Sequence, residues 1–153
     1  MGTGKVRVYL PASYRDLTTL VATGSFHPRA PGHAVTSALK AAEPDGDLDE
    51  WEFLAFLDAG QSSLALLEAD ATPRRVVLSA DLDAAEVHEH PRAGASGVVL
   101  AGDVATGAVA AVHVDGVDAE PAVRAVLSGA PPGTLDDFAL EWFGPDEVAD
   151  LLT

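Results

Sequence analysis

The order of local signals along this chain predicts an α/β (or α+β) fold, one mixed β-sheet of four to five strands covered by helices. Three observations carry that reading. Val6 to Leu10 alternates apolar and polar side chains, as a strand with one buried face requires. Residues 47–68 repeat large apolar side chains at helical spacing. Two further apolar runs, Arg75 to Ala80 and Ala108 to Val114, each end on an aspartate (Asp81, Asp115) and lead into an acidic, alanine-containing stretch able to start a helix.

In chain order, the first strand puts Val6, Val8 and Leu10 on one face and Arg7 and Tyr9 on the other, and Pro11 ends it. Ser13 caps a helix that runs through Val21, with Leu17, Leu20 and Val21 turned inward. Gly24, Pro28, Pro31 and Gly32 make residues 23–32 a loop. Ala34 to Leu39 reads equally as a short strand or as a helix start broken by Pro44. Asp47 to Glu68 is the clearest helix, with a stripe of Phe53, Phe56, Leu57, Leu64 and Leu67 and acids crowding its first turns. Gly60 lies on that stripe, where its lack of a side chain would admit a close backbone. Residues 83–87 and 118–127 are the two acid-started helices, and a short strand at Val98 to Leu100 lies between them. Phe138, Leu140 and Trp142 share a face of a last strand, and Gly144-Pro145-Asp146-Glu147 opens a final helix to Leu152.

At 153 residues there is room for one globular domain with a real core, residues 1–5 forming a disordered extension. The chain carries 24 acidic against 9 basic side chains, a formal charge of -15, and no cysteine. That excludes disulfides, thiolate nucleophiles and cysteine metal sites. Such a field repels phosphates and anionic lipid, so direct contact with nucleic acid or membranes is not expected, whereas a basic protein partner is. No apolar run reaches membrane-span length and no secretory signal is visible, which predicts a cytoplasmic protein.

Motif searches mostly exclude. Gly2-Thr3-Gly4-Lys5 lacks the preceding strand and the following Ser or Thr of a phosphate-binding loop, and Gly94-Ala-Ser-Gly97 is one residue short of a nucleophile elbow. Three constellations remain. Asp81, His88, His90, His113 and Asp115 gather at strand ends, where open α/β sheets place ligands, and imidazole plus carboxylate suits a divalent metal. Against this, His-x-His on a loop is unspecific. Arg7, Arg29, Arg74 and Arg75, if they converge, form an anion pocket. The plainer reading pairs each with a nearby acid. Asp47, Asp49, Glu50 and Trp51 at the start of the long helix would face a basic partner.

The segments Val6-Arg-Val-Tyr-Leu-Pro-Ala12, His33-Ala-Val-Thr-Ser-Ala-Leu39, Arg74-Arg-Val-Val-Leu-Ser-Ala-Asp81, Val109-Ala-Ala-Val-His-Val-Asp115, Leu140-Glu-Trp-Phe143 and Val148-Ala-Asp-Leu-Leu152 are similar to an uncharacterised family of small acidic actinobacterial proteins. Its members open with a Met-Arg-Val-Tyr-Leu-Pro-Ala type strand. The resemblance implies an actinobacterial cytoplasmic protein and brings no catalytic residues. The expectation is a non-catalytic interaction or regulatory protein without a cofactor. The alternative is a small enzyme or a metal- or ligand-binding protein using the strand-end Asp and His residues.

Overall fold

The computed structural model describes residues 4–67 and 72–153. Its elements are strands β1 (Lys5–Ala12), β2 (Ser25–Phe26), β3 (Gly32–Ala34), β4 (Val76–Asp83), β5 (Val87–Glu89), β6 (Gly97–Leu100), β7 (Val104–Ala105), β8 (Val109–Val114) and β9 (Glu141–Phe143), with helices α1 (Tyr14–Thr23), α2 (Ser37–Ala42), α3 (Leu48–Leu67), α4 (Glu120–Leu127) and α5 (Val148–Leu151). The main sheet has seven strands in the order β5-β6-β3-β1-β4-β8-β9, and β2 pairs separately with β7. The expected count of four to five strands is therefore corrected to seven. The expected mixture of strand directions is also corrected, because every pairing in the sheet is antiparallel. The missed strands are short and carry Gly, His and Glu, too few residues to set up an alternation.

The long central pair β1–β4 sets the frame, with Lys5 to Ala12 in unbroken register against Asp83 to Val76. Pro11 is inside that strand rather than at its end. Of residues 1–5, Lys5 bonds Asp83 at 2.9 Å and the Gly4 carbonyl accepts from the Ala84 amide, while residues 1–3 lie outside the described residues. Ser13 does cap α1, and the Asp16 carboxylate accepts a hydrogen bond from the Ser13 amide at 3.0 Å. Ala34 to Leu39 resolves into both of its readings, since β3 ends at Ala34 and Thr36 caps α2 by accepting from the Leu39 amide. Residues 84–86 form one 3-10 turn and residues 87–89 pair as β5, so the helix expected over 83–87 is corrected.

The two faces of the sheet are covered differently. Val8, Leu10 and Ala12 of β1, Val76, Leu78 and Ala80 of β4, and Val112 and Val114 of β8 meet Leu17 and Leu20 of α1 and Val148 at the start of α5 in one apolar core. On the opposite face, α3 lies over Tyr9 and Val77. It makes that contact through Ala55 and Ala59, both fully buried, rather than through the large stripe its periodicity suggests. Phe53 and Leu57 are 57% and 48% exposed. Small side chains let the helix axis approach the sheet, and the bulky residues on either side are then displaced to its flank. Gly60 admits no close backbone, because a Cβ built there would find Leu140 Cδ1 at 4.0 Å and nothing nearer. Leu64 and Leu67, at the far end, pack with Val123 of α4 and Leu135 as expected of buried apolar residues.

Candidate functional site

The face of the sheet under α3 is polar along one side of the helix. Arg7, Tyr9, Ser79 and Asp81 project there from β1 and β4, His113 from β8 and Trp142 from β9, as the cross-strand registers Arg7–Asp81, Tyr9–Ser79 and His113–Trp142 dictate. Beside the first half of α3 this floor opens into a cavity of about 420 Å³, walled by Phe53, Phe56 and Trp142 and edged by Asp49 and Glu52. A second cavity of about 480 Å³ continues along the helix past Phe53, Phe56, Leu57 and Gly60 to Leu135, Phe138 and Leu140, with Asp136 and Asp137 on its rim. Phe53 and Phe56 belong to both, so the two form one groove. Phe56 is set by three ring contacts: edge-on to His113 at 4.8 Å and to Tyr9 at 5.8 Å, and stacked with Phe53 at 6.5 Å.

Charge in the groove is unbalanced. Arg7 bonds both carboxylate oxygens of Asp81, at 2.7 and 3.1 Å, and that hydrogen bonding holds the Asp81 carboxyl below its usual range. The pair is thereby self-neutralised. Burial, followed by the nearby Glu52 charge, raises the Tyr9 phenol above its ordinary value, so it stays protonated. Burial, and secondly the Arg7 cation, lowers His113, so its imidazole is neutral at physiological pH. His113 Nε2 is 2.8 Å from Ser79 Oγ, and its Nδ1 has no hydrogen-bond partner among the described residues. Asp49 and Glu52 likewise form no hydrogen bond or salt bridge among the described residues. What the site offers is an aromatic-walled groove with surplus negative charge.

The four arginines do not come together. Arg7 is on this face with Asp81; Arg29 bonds Asp16 at 3.0 and 2.9 Å beside α1; Arg74 bonds Glu120 at 2.6 Å and the Tyr14 hydroxyl at 3.1 Å; Arg75 forms a fork with Asp115 at 2.8 Å and reaches the Phe138 carbonyl. Each already holds a carboxylate, the plainer of the two readings. The Asp and His set is also spread out. His88 is on β5 and His90 just after it, at one edge of the sheet, with β6, β3, β1 and β4 between them and His113 on β8. Asp81 is committed to Arg7 and the fully buried Asp115 to Arg75. Among the described residues no group of three or more His, Cys, Asp or Glu side chains is placed to hold a metal ion. Of the helix-start set, Asp47 caps α3 by accepting from the Glu50 amide at 2.9 Å, and Asp49 and Glu50 are exposed. Trp51 packs beside Leu39 and Ala55 with its indole N–H donated to the Glu43 carbonyl at 2.9 Å, and the exposed indole is Trp142, at 63%.

Sequence reasoning missed a hydrogen-bonded relay, buried at Ser96 and His33, that ties α3 to the sheet. Ser96 donates to Asp58 at 2.6 Å, which leaves its oxygen to accept from His33 Nδ1 at 2.8 Å; His33 Nε2 then accepts from the Ser62 hydroxyl at 2.8 Å. Ser96 is fully buried and His33 is 3% exposed. Burial lowers the His33 pKa, partly opposed by Asp58, so the ring stays neutral and the chain of donors keeps one direction. The relay ties α3 to β3 and to the turn before β6, and neither of the two cavities of the groove is lined by any of its members. No local pattern flags it, because its four members come from three separate stretches of chain.

No helix among the described residues is long and apolar enough to cross a membrane. No curated protein and no solved structure matches the chain. A family model does match, over residues 6–152, which is nearly the full length and spans every strand from β1 to β9; the chain belongs to the family of unknown function DUF6912.

Proposed function

We propose that this is a non-catalytic interaction module of the actinobacterial cytoplasm, whose groove along α3 docks a basic segment of a partner protein. One observation carries the reading: large apolar side chains that a core would normally absorb stand at the surface, around an acid-rimmed groove. Phe53, Leu57 and Trp142 are 57%, 48% and 63% exposed, and Asp49, Glu52, Asp136 and Asp137 edge the same groove. Clustered exposed apolar groups rimmed by charge are the ordinary form of a docking surface. The charge decides the occupant. At -15, a second copy of this chain is repelled, as are phosphate backbones and anionic lipid, whereas a segment bearing Lys or Arg beside an apolar anchor is attracted and steered.

The test is selection from a random peptide library on the immobilised full-length chain. The expected result is enrichment of peptides that combine Lys or Arg with an aromatic or aliphatic anchor, bind more weakly as salt rises, and fail on the Phe53→Ser/Trp142→Ser double variant. Acidic or charge-neutral consensus peptides, binding indifferent to that double variant, or no enrichment over blank support would overturn the proposal.

A further inference from the structure

We propose that the cavity between Phe53, Phe56 and Trp142 is a seat for a guanidinium group, so that the docked segment is anchored by an arginine side chain. The inference rests on the docking reading and names the group that the first cavity takes. Three features of that cavity converge. Its walls are aromatic, and a cation laid on a ring face gains from the ring quadrupole. Its rim holds Asp49 and Glu52, two carboxylates three positions apart on α3 and therefore on one side of the helix, neither salt-bridged among the described residues. Its floor carries one cation, Arg7, which is held in a two-point ion pair by Asp81, so the carboxylates of Asp49 and Glu52 outnumber the unmatched cations, while His113 and Tyr9 are uncharged.

The floor also supplies an acceptor. A guest N–H favours the His113 tautomer that donates Nε2–H to Ser79 Oγ and leaves the Nδ1 lone pair open. Guanidinium fits better than ammonium on physical grounds. It is planar, sheds water more readily and stacks on rings while its edge donors reach carboxylates, whereas an ammonium is a strongly hydrated point charge. The fold already seats two of its own cations in this way, Arg74 over Tyr14 at 5.7 Å and Lys40 over Trp51 at 5.8 Å.

The two tryptophans make a direct test, since Trp142 borders the cavity and Trp51, bonded to Glu43, does not. The ¹⁵N-labelled full-length chain is titrated with Nα-acetyl-arginine methylamide, its lysine counterpart and its citrulline counterpart, the last being arginine's neutral isostere. The expected result is a saturable shift of the Trp142 indole resonance with a still Trp51. Affinity for the arginine probe should exceed that for citrulline by about tenfold, with lysine between them. Glu52→Gln should weaken arginine binding by about threefold or more. Equal response to citrulline or lysine, joint movement of both indoles, or no response would overturn the guanidinium seat. The docking reading survives that failure if library-selected peptides still bind, lose affinity with Leu57→Ser in the second cavity and ignore Glu52→Gln. If no peptide is selected, it falls separately.

Discussion

The two faces of the central sheet use different solutions to the same packing problem. Beneath α1 and α5 the sheet presents Val, Leu and Ala with Phe143 of β9 at the edge, and Leu10, Leu17 and Leu78 are fully buried. Beneath α3 it presents Arg7, Tyr9, Ser79 and His113, and the helix rests on Ala55 and Ala59 with Phe56 packed beside them, while Phe53 stands aside. The first arrangement maximises apolar burial. The second leaves polar groups and aromatic rings at the surface, which gives less stability. If the α3 face is the docking surface proposed above, substitutions on it should change binding and substitutions on the other face should change stability.

The largest expected loss is on the stability side. Leu17→Ala removes a fully buried side chain from the closed core and should cost about 2–5 kcal/mol in chemical denaturation. Asp115→Ala should match it, at about 3–5 kcal/mol, because it leaves Arg75 half of a fork whose carboxylate side is fully buried. Ala59→Leu attacks the close approach of α3. Overpacking there should cost about 1–3 kcal/mol and distort the groove, so peptide binding falls along with the denaturation midpoint. Gly60→Ala should go the other way. The position is mid-helix with only Leu140 Cδ1, at 4.0 Å, near a Cβ built there, and a gain of about 0.5–1 kcal/mol is expected.

Acidification gives a smaller signal that is specific to the α3 face. His33 and His113 both have pKa values lowered by burial, so the unfolded chain takes up their protons more readily than the folded one. Their effect on stability is absent well above pH 6.5, the ordinary imidazole value. Stability then declines as pH falls through that value towards the lowered folded pKa values, below which the loss levels off. The carboxylates of Asp81 and Glu89, held low by hydrogen bonds from Arg7 and Ser37, add a further loss only at more acidic pH. His113→Gln should lessen the first decline, leaving the His33 part, without moving the second, as measured by denaturation midpoints across pH.

The closed face was legible in the sequence and the open one was not. Val6, Val8 and Leu10 alternate within one strand, and Ser13 announces a helix, so both signals are local. The α3 face defeats the same logic because periodicity ranks side chains by hydrophobicity. It therefore chose Phe53 and Leu57 over Ala55 and Ala59 as the inward stripe. Of the acidic start of α3, Asp49 edges the groove, whereas Trp51 donates its indole N–H to the Glu43 carbonyl and the exposed indole is Trp142. Trp142 comes from the far end of the chain, and only the pairing of β9 with β8 brings it beside His113. The arginine and histidine sets failed to gather for the matching reason: residue type shows what a side chain is able to do, and the order of seven strands decides which neighbours it has.

The most direct test of functional location is the Phe53→Ser/Trp142→Ser double variant, measured for both folding and binding of a library-selected basic peptide. The account predicts an unfolding free energy within about 0.5 kcal/mol of the parent chain, as for other exposed positions, together with loss of peptide binding. A variant that unfolds readily, or one that stays folded and binds as the parent does, would contradict it.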